Sequence, residues 1–259
     1  MNKSYLDVLA MILLPIIASV ITLVLETNLF VSVLLFFALP ALYLGIRKKR
    51  IVKKSIIFSL LLSVPLSLFI DVIAAVNGSW VVPETVFPFK LFGVATMEVY
   101  LYGFFWVLSA VLFYERFFDN GKSRTKTSPH IYFLLYLSVI LIAYTSVGFL
   151  LYEPLLFIPY FYFWCGIILV VIPWFVFLYY YPEFIRRHLV LTAYFFFLLF
   201  IFEIVALEVG QWIFPAQDFI GLVKVFGFQF PIEELFIWMI AATPALLSYY
   251  EFFDDDRVL

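Results

Sequence analysis

Eight stretches of mostly apolar residues follow one another along the chain, near 5–25, 29–46, 55–76, 94–116, 131–150, 154–181, 188–208 and 230–251. A helix needs about 20 such residues to cross the hydrocarbon core of a bilayer, and in that medium only a structure that satisfies its own backbone hydrogen bonds survives. The expected fold class is therefore all-α, a polytopic membrane bundle of about eight transmembrane helices. With 66% hydrophobic, 22% aromatic and 13% charged residues, the chain could not cover itself with a surface that water would tolerate. The first stretch is long for a signal peptide and lacks a clear small-residue cleavage site, so it is read as a helix. Prolines 65, 159, 173 and 244 fall inside the runs and are expected to kink helices, with neighbouring helices satisfying the freed carbonyls.

The charges test the helix count independently, because cytoplasmic loops retain Lys and Arg. Eight spans place Lys3, Arg47, Lys48, Lys49, Arg50, Lys53, Lys54, Arg116, Lys122, Arg124, Lys126, Arg186, Arg187 and Arg257 on one face, which is 14 of the 16 basic residues. Only Lys90 and Lys224 fall opposite. The expected location is a cell membrane, multi-pass, with both termini cytoplasmic and the loops 77–93 and 209–229 outside. A net charge of −2 gives no basic field to draw nucleic acid. One cysteine, Cys165, provides no internal disulfide, and His130 and His188 sit at loop edges beside polar residues, where they read as interfacial side chains. No metal site is expected.

An internal repeat joins the two outer loops. Asp71, Gly78, Trp80 and Pro83 match Glu203, Gly210, Trp212 and Pro215 at an offset of 132; Gly93 then meets Gly227, and Glu98, Tyr114 and Glu115 meet Glu234, Tyr250 and Glu251 at an offset of 136. Two units follow, residues 1–119 with helices 1–4 and residues 120–259 with helices 5–8. Each half has an even number of spans, so the halves share one orientation and an axis along the membrane normal should relate them.

The repeated acids carry the chemistry. A charged side chain inside a span costs about 2.5–3.5 kcal/mol on insertion scales and persists mainly where it faces the bundle interior. Asp71 and Glu98 both lie roughly 7–9 Å below the outer surface at 1.5 Å per residue, and Glu203 and Glu234 repeat the arrangement with Glu233 alongside. Four or five carboxyl groups are thus expected to converge with no Lys, Arg or His at their depth, so that some must hold protons. A protonated acid beside an ionised one supplies a general acid and a general base together. The alternative is that these acids only bridge helices through hydrogen bonds. Glu115 and Glu251 fall 17 residues further on and are expected to be solvated at the cytoplasmic end. Aromatic residues surround the acids, among them Trp80, Tyr100, Phe104, Phe105, Trp106, Trp212, Phe236 and Trp238. Many could serve as interfacial belts, while their π faces could also hold a cation.

The stretches "ALEVGQW" (206–212) and "PIEEL" (231–235), with "LFIDVIAAVNGSW" (68–80) and "LFYERFFD" (112–119), resemble the membrane-embedded lycopene cyclases of bacteria, archaea and fungi. In that family two homologous domains are separate subunits or fused. The resemblance covers most of 29–256, leaving helix 1 as an addition. It implies a cofactor-independent isomerase that cyclises the ends of a linear carotenoid inside the bilayer, with membrane lipid around it and a hydrophobic polyene or isoprenoid as substrate. Homo- and hetero-oligomers are both compatible with it. On the matching positions, Glu233, Glu234 and Pro231 correspond to the family's proline-acid motif and Asp71 and Glu203 to its preceding acids. Glu234 and Glu98 are then the expected acid and base, Glu233, Asp71 and Glu203 tune or relay, and Trp80, Trp212, Phe236, Trp238, Tyr100 and Phe105 contact substrate. Pro231, Gly93 and Gly227 are expected structural positions. The first half departs from the pattern, since "VATMEVY" (94–100) has Ala95 at the proline position and Met97 in place of one acid.

Four other readings are weighed. A paired-glutamate intramembrane protease would need an arginine at 238, which is Trp. A prenyltransferase would need aspartate-rich motifs on paired helices, and Asp254-Asp255-Asp256 lies at the tail as a solvated cap. A proton-coupled transporter would also use repeated carboxyls, but no cytoplasmic half of a relay is evident. A non-catalytic carotenoid- or lipid-binding relic of the fold fits the incomplete motif in the first half.

Overall fold

A computed structural model describes residues 3–118, 128–215 and 218–253. Within them are eight helices long and apolar enough to cross a membrane: α1 (Lys3–Leu25), α2 (Leu29–Arg47), α3 (Val52–Asn77), α4 (Met97–Phe117), α5 (Ile131–Leu151), α6 (Phe161–Tyr180), α7 (Ile185–Glu208) and α8 (Glu234–Phe253). The fold is an all-α polytopic bundle, as the apolar runs require. The sixth span starts later than expected. Glu153–Leu156 forms a separate 3-10 turn, so Pro159 lies in the connection before α6 and kinks nothing. The boundary at 119–120, the basic residues Lys122, Arg124, Lys126 and Arg257, and the run Asp254-Asp255-Asp256 lie outside the described residues.

The helices pair in a pattern that repeats across the two halves. α3 packs along α4 and α2 along α4; α7 packs along α8 and α6 along α8. The outer helices are exchanged, with α1 against α7 and α5 against α3. The proportion of each span that is buried follows the same symmetry, 67% for both α4 and α8 and 22% for both α1 and α5. Leu9, Ile16, Val20 and Leu23 of α1 are exposed, which is costly in water and not in lipid.

Prolines explain the pairing physically. A proline inside a helix leaves the carbonyl four residues earlier without its donor, and in a bilayer another helix must supply one. Tyr194 of α7 donates to Met11 O at 3.2 Å, opposite Pro15 of α1. Ser138 of α5 donates to Leu61 O at 2.8 Å, opposite Pro65 of α3. Tyr249 of α8 donates to Leu169 O at 2.9 Å, opposite Pro173 of α6. Ser109 of α4 reaches Phe37 O at 2.8 Å, beside Pro40 of α2. Pro40 and Pro173 each follow a π turn, Leu34–Ala38 and Ile167–Val171, so the repeat reaches into α2 and α6 at an offset of 133 that residue matching alone does not reveal.

Glycine ends α3 and α7 in the same way. Gly78 and Gly210 hold φ of 65° and 69°, the left-handed conformation that an L side chain resists. Ser79 N and Gln211 N each reach back 2.8 Å to the carbonyls of Ala74 and Ala206, completing a Schellman closure. The chain reverses, and two residues later an antiparallel bridge joins Val81 to Ile213 through two N–H···O bonds of 3.0 Å. This bridge pairs equivalent residues of the two halves, so the pseudo-twofold axis passes beside it. Past it, the first loop makes a single Leu91–Ala95 bridge and the second a hairpin of β1 (Leu222–Val225) and β2 (Phe228–Pro231). Both turn on Phe-Gly pairs of positive φ, Phe92-Gly93 and Phe226-Gly227, and Pro231 closes the hairpin opposite Leu222.

Candidate functional site

Beneath that bridge, between the halves, lies a cavity of about 130 Å³. It is lined by three carboxylic acids, Asp71 of α3, Glu203 of α7 and Glu234 of α8, and by Tyr102, Tyr162, Trp80, Trp106, Trp212, Phe214 and Trp238. The wall from α3 and α4 adds Ser63, Ser67, Val99 and Gly103. No Lys, Arg or His lines it among the described residues. Each acid stands within two turns of a helix end at the loop side, so all three share a depth.

Local structure aims each group. The glycine closure after α7 turns Trp212 back over its own helix, and its indole N–H donates to Glu203 Oε1 at 3.0 Å. Trp80 is brought back in the same manner after α3, and the two indoles meet edge to face at 5.9 Å, closing the loop side of the cavity. Asp71 is one methylene shorter than Glu203. The Trp80 N–H and Asp71 Oδ2 are both left without a hydrogen-bond partner, as is the Trp238 N–H. Tyr162, at the start of α6, donates to Glu234 Oε2. Tyr102 is stacked between Trp106 at 5.7 Å and Phe202 at 5.6 Å, and Trp106 is held by its N–H bond to Thr243 Oγ1 at 3.1 Å. The result is a small apolar chamber with proton-bearing groups on three walls and aromatic faces between them.

Glu98 and Glu233 stand elsewhere, although both are expected in the acid cluster. Glu98 accepts from Thr85 Oγ1 at 2.8 Å and Val86 N at 2.8 Å; Glu233 accepts from Ile220 N at 2.7 Å. Each buried carboxylate thus clamps the loop that precedes its helix. The equivalence of Glu98 with Glu234 therefore needs correction, because Glu98 makes the contact that Glu233 makes. Val86 matches Ile220 at an offset of 134, Glu98 matches Glu233 at 135, and Tyr114 matches Tyr250 at 136. The extra residue is absorbed by the π-helical turns Glu234–Ala241 that open α8, where α4 is regular. A π turn accommodates one added residue and often marks a functional position. Here it presents Glu234 to the cavity at a level where the first half presents Val99.

Of the aromatic residues expected to contact substrate, Trp80, Trp212 and Trp238 line the cavity. Phe236 is 57% exposed on the outside of α8, Phe105 packs beside Phe104 away from the chamber, and Tyr100 is buried in a separate cluster with Leu68 and Val72. Sequence reasoning missed Tyr102 and Tyr162. Tyr162 lies outside the matched segments, and only its spacing four residues before Gly166, where α6 meets α8, could have pointed to it.

Three further expectations change. Glu115 and Glu251 are fully buried rather than solvated, because the Ala242–Phe253 part of α8 packs against α4. Tyr250 donates to Glu115 Oε1 at 2.6 Å and Arg187 to the Tyr114 hydroxyl at 2.9 Å. His188 is also fully buried, accepting from the Trp174 indole at 2.9 Å and stacked on Phe177 at 5.7 Å, while His130 is half-buried against Phe252. No group of three His, Cys, Asp or Glu side chains is arranged to hold a metal among the described residues. Comparison with family models, characterised proteins and solved structures finds no match to this chain.

Proposed function

We propose that the protein is an isomerase of the lycopene cyclase type, closing a ring at the end of a linear polyene by proton addition and proton loss within the bilayer. The observation that carries the reading is the meeting of Asp71, Glu203 and Glu234 in one aromatic chamber inside an apolar bundle. A chamber of about 130 Å³ compares with the roughly 150 Å³ cavity that holds a benzene ring, so it matches the six carbons of one closing ring, with the methyl branches and the rest of the chain reaching among the helices or into lipid. One acid would protonate the terminal double bond, leaving a tertiary cation. The next double bond attacks it, the ring closes, and the displaced charge is lost as a proton to a second carboxylate. One proton enters and one leaves, so atoms and charge balance without a redox partner.

The Glu234–Tyr162 pair and Glu203, held by Trp212, are assigned as donor and acceptor, and Asp71 as the third proton-bearing group. Faces of Trp80, Trp106, Trp212, Trp238 and Tyr102 offer the cation a favourable quadrupole, worth about 2 kcal/mol when desolvated. Glu98 takes no part in this assignment, since its carboxylate is occupied by the loop. On this reading both termini and the basic ends of the helices lie on the cytoplasmic side. The test is expression in a lycopene-accumulating host with pigment analysis. Cyclised product in the wild type and its loss in Glu234→Gln are expected; an unchanged lycopene pool with well-expressed protein removes the reading.

A further inference from the structure

On α3, serine recurs at every fourth position and the row ends in the cavity acid: Ser55, Ser59, Ser63, Ser67, Asp71. Residues four apart are neighbours along a helix ridge, with each step rising about 6 Å. With the Cβ atoms of such neighbours about 5–6 Å apart, hydroxyls turned toward each other are linked by one water, with hydrogen bonds of about 2.8 Å on either side. Ser55, Ser59 and Ser63 are all buried. Ser55 bonds back to Ile51 O at 3.1 Å, the usual resting place of a serine inside a helix. Ser59 and Ser63 do not: their hydroxyls have no partner, and a buried, unpaired hydroxyl is costly. Ser63, Ser67 and Asp71 open onto the acid chamber, where Asp71 Oδ2 is likewise unpaired.

The second half of the molecule provides an internal control. At the repeat offset of 132 the same row on α7 reads Arg187, Leu191, Phe195, Leu199, Glu203. Leu191, Phe195 and Leu199 are buried in the apolar core. The helix position therefore does not require a small polar residue, and the hydroxyl row belongs to one half only. At the other end the row starts beside Lys54, whose ammonium lies 5.5 Å from the Tyr250 ring, next to the Tyr250–Glu115 hydrogen bond. The shorter way in, from the loop side, is covered by the Trp80–Trp212 pair and the Val81–Ile213 bridge, and the loop-side acids Glu98 and Glu233 are bound to backbone.

We infer that the serine row of α3, completed by intervening waters, is a proton relay between the basic end of the bundle and the acid chamber, with Asp71 as its inner terminus. At each link one O–H bond forms as the next breaks, so no serine keeps a charge and nothing is consumed. Proton chemistry in the chamber would use the row to restore the protonation of its acids after each turnover. The relay rests on the acid-catalysed reading only for that use, and its test needs no substrate.

The full chain in liposomes is moved from H2O to D2O, and the infrared carbonyl band of its protonated acids is followed; differences against Asp71→Asn, Glu203→Gln and Glu234→Gln assign the band to the chamber. Ser59→Val and Ser63→Val should slow the exchange by at least about tenfold, equivalent to about 1.4 kcal/mol on the barrier. Ser59→Thr and Ser63→Thr, which restore the hydroxyl, should return it to near the wild-type rate. Wild-type exchange in the valine variants overturns the relay, as does equal slowing by threonine and valine, or a wild-type chain with no exchangeable band from the chamber acids. Rapid serine-dependent exchange in a chain that leaves lycopene unchanged would keep the relay and remove the cyclase; cyclisation with exchange indifferent to the serines would do the reverse.

Discussion

Glu234 gives the most direct contrast between two kinds of buried acid. Its carboxylate faces the chamber with one phenol as partner, whereas Glu233, adjacent in the chain, has its Oε1 bound by a loop amide. If Glu234 moves the proton, Glu234→Gln should lower cyclisation by at least about 100-fold, the range of general acid–base catalysis, with the folded protein retained as judged by thermal melting in detergent. Glu233→Met, close in shape but with no acceptor for the loop amide, should do the opposite, leaving product formation close to wild type and lowering stability by about 1–3 kcal/mol, the cost of a buried amide deprived of its partner. Tyr162→Phe, which removes only the hydroxyl on Glu234, should reduce turnover less than Glu234→Gln. Gly103 tests the shape of the chamber: a Cβ there would come within 2.4 Å of the Ser67 hydroxyl. Gly103→Ala should therefore turn the Ser67 hydroxyl to another rotamer and add a methyl group to the chamber wall, impairing a ring-sized ligand more than a slimmer one.

The elements show how one inserted residue changes a site without changing a fold. α8 and α4 are repeats of each other at both ends, and the π turns of α8 hold the difference. Deleting Leu235 should convert those turns to regular helix and rotate Glu234 out of line with Tyr162. The Glu233 clamp and the Tyr250–Glu115 bond would be retained. Loss of product from a variant that still melts cooperatively would support this, and full activity would refute it. Proline positions act at the same scale, each creating a carbonyl that a specific neighbour must satisfy. Tyr249→Phe would strand Leu169 O between α6 and α8; interhelical hydrogen bonds in membranes average about 0.6 kcal/mol and reach about 1.7. The expected loss lies toward the upper figure, since Pro173 removes the carbonyl's own donor, and a melting series in detergent measures it.

At the level of the whole molecule, the halves are interlocked. α1 leans on α7 and α5 on α3, and reciprocal loop clamps reinforce the exchange: Asn77 holds Leu156 O at 2.7 Å and Ile158 N at 3.0 Å, while Gln211 holds Thr27 O at 2.7 Å and Ser32 Oγ at 2.6 Å. Within the first half, a charge cluster at the basic end ties α1 to α2 and α4, as Asp7 of α1 is bound by Tyr43, Arg47 and Arg116. Asp7→Ala should cost more than the about 1 kcal/mol of an exposed pair and less than the about 3–5 kcal/mol of a fully buried one, because Arg116 retains partial access to solvent. The chamber lies between the halves, so neither contains it alone. Chains cut between Phe118 and Ser128 should co-purify when both pieces are expressed and recover the wild-type function, and neither piece should show it separately.

The membrane setting, the eight spans and the duplication are legible in the residue order, because hydrocarbon solvation acts on every residue of a span and repeats leave marks at constant offsets. It also located the acids, since a carboxyl group in an apolar run is conspicuous wherever it points. Which acids meet is settled by the packing of the helices. The direction of a side chain depends on helix rotation, and a single π insertion turns Glu234 toward the chamber while Glu98 and Glu233 turn to their loops. The same limit hid Tyr162, buried Glu115, Glu251 and His188, and separated Phe236 and Phe105 from the chamber. Pattern specifies the depth of a residue in a bilayer, whereas the contacts it makes at that depth are set by how neighbouring helices are turned and paired.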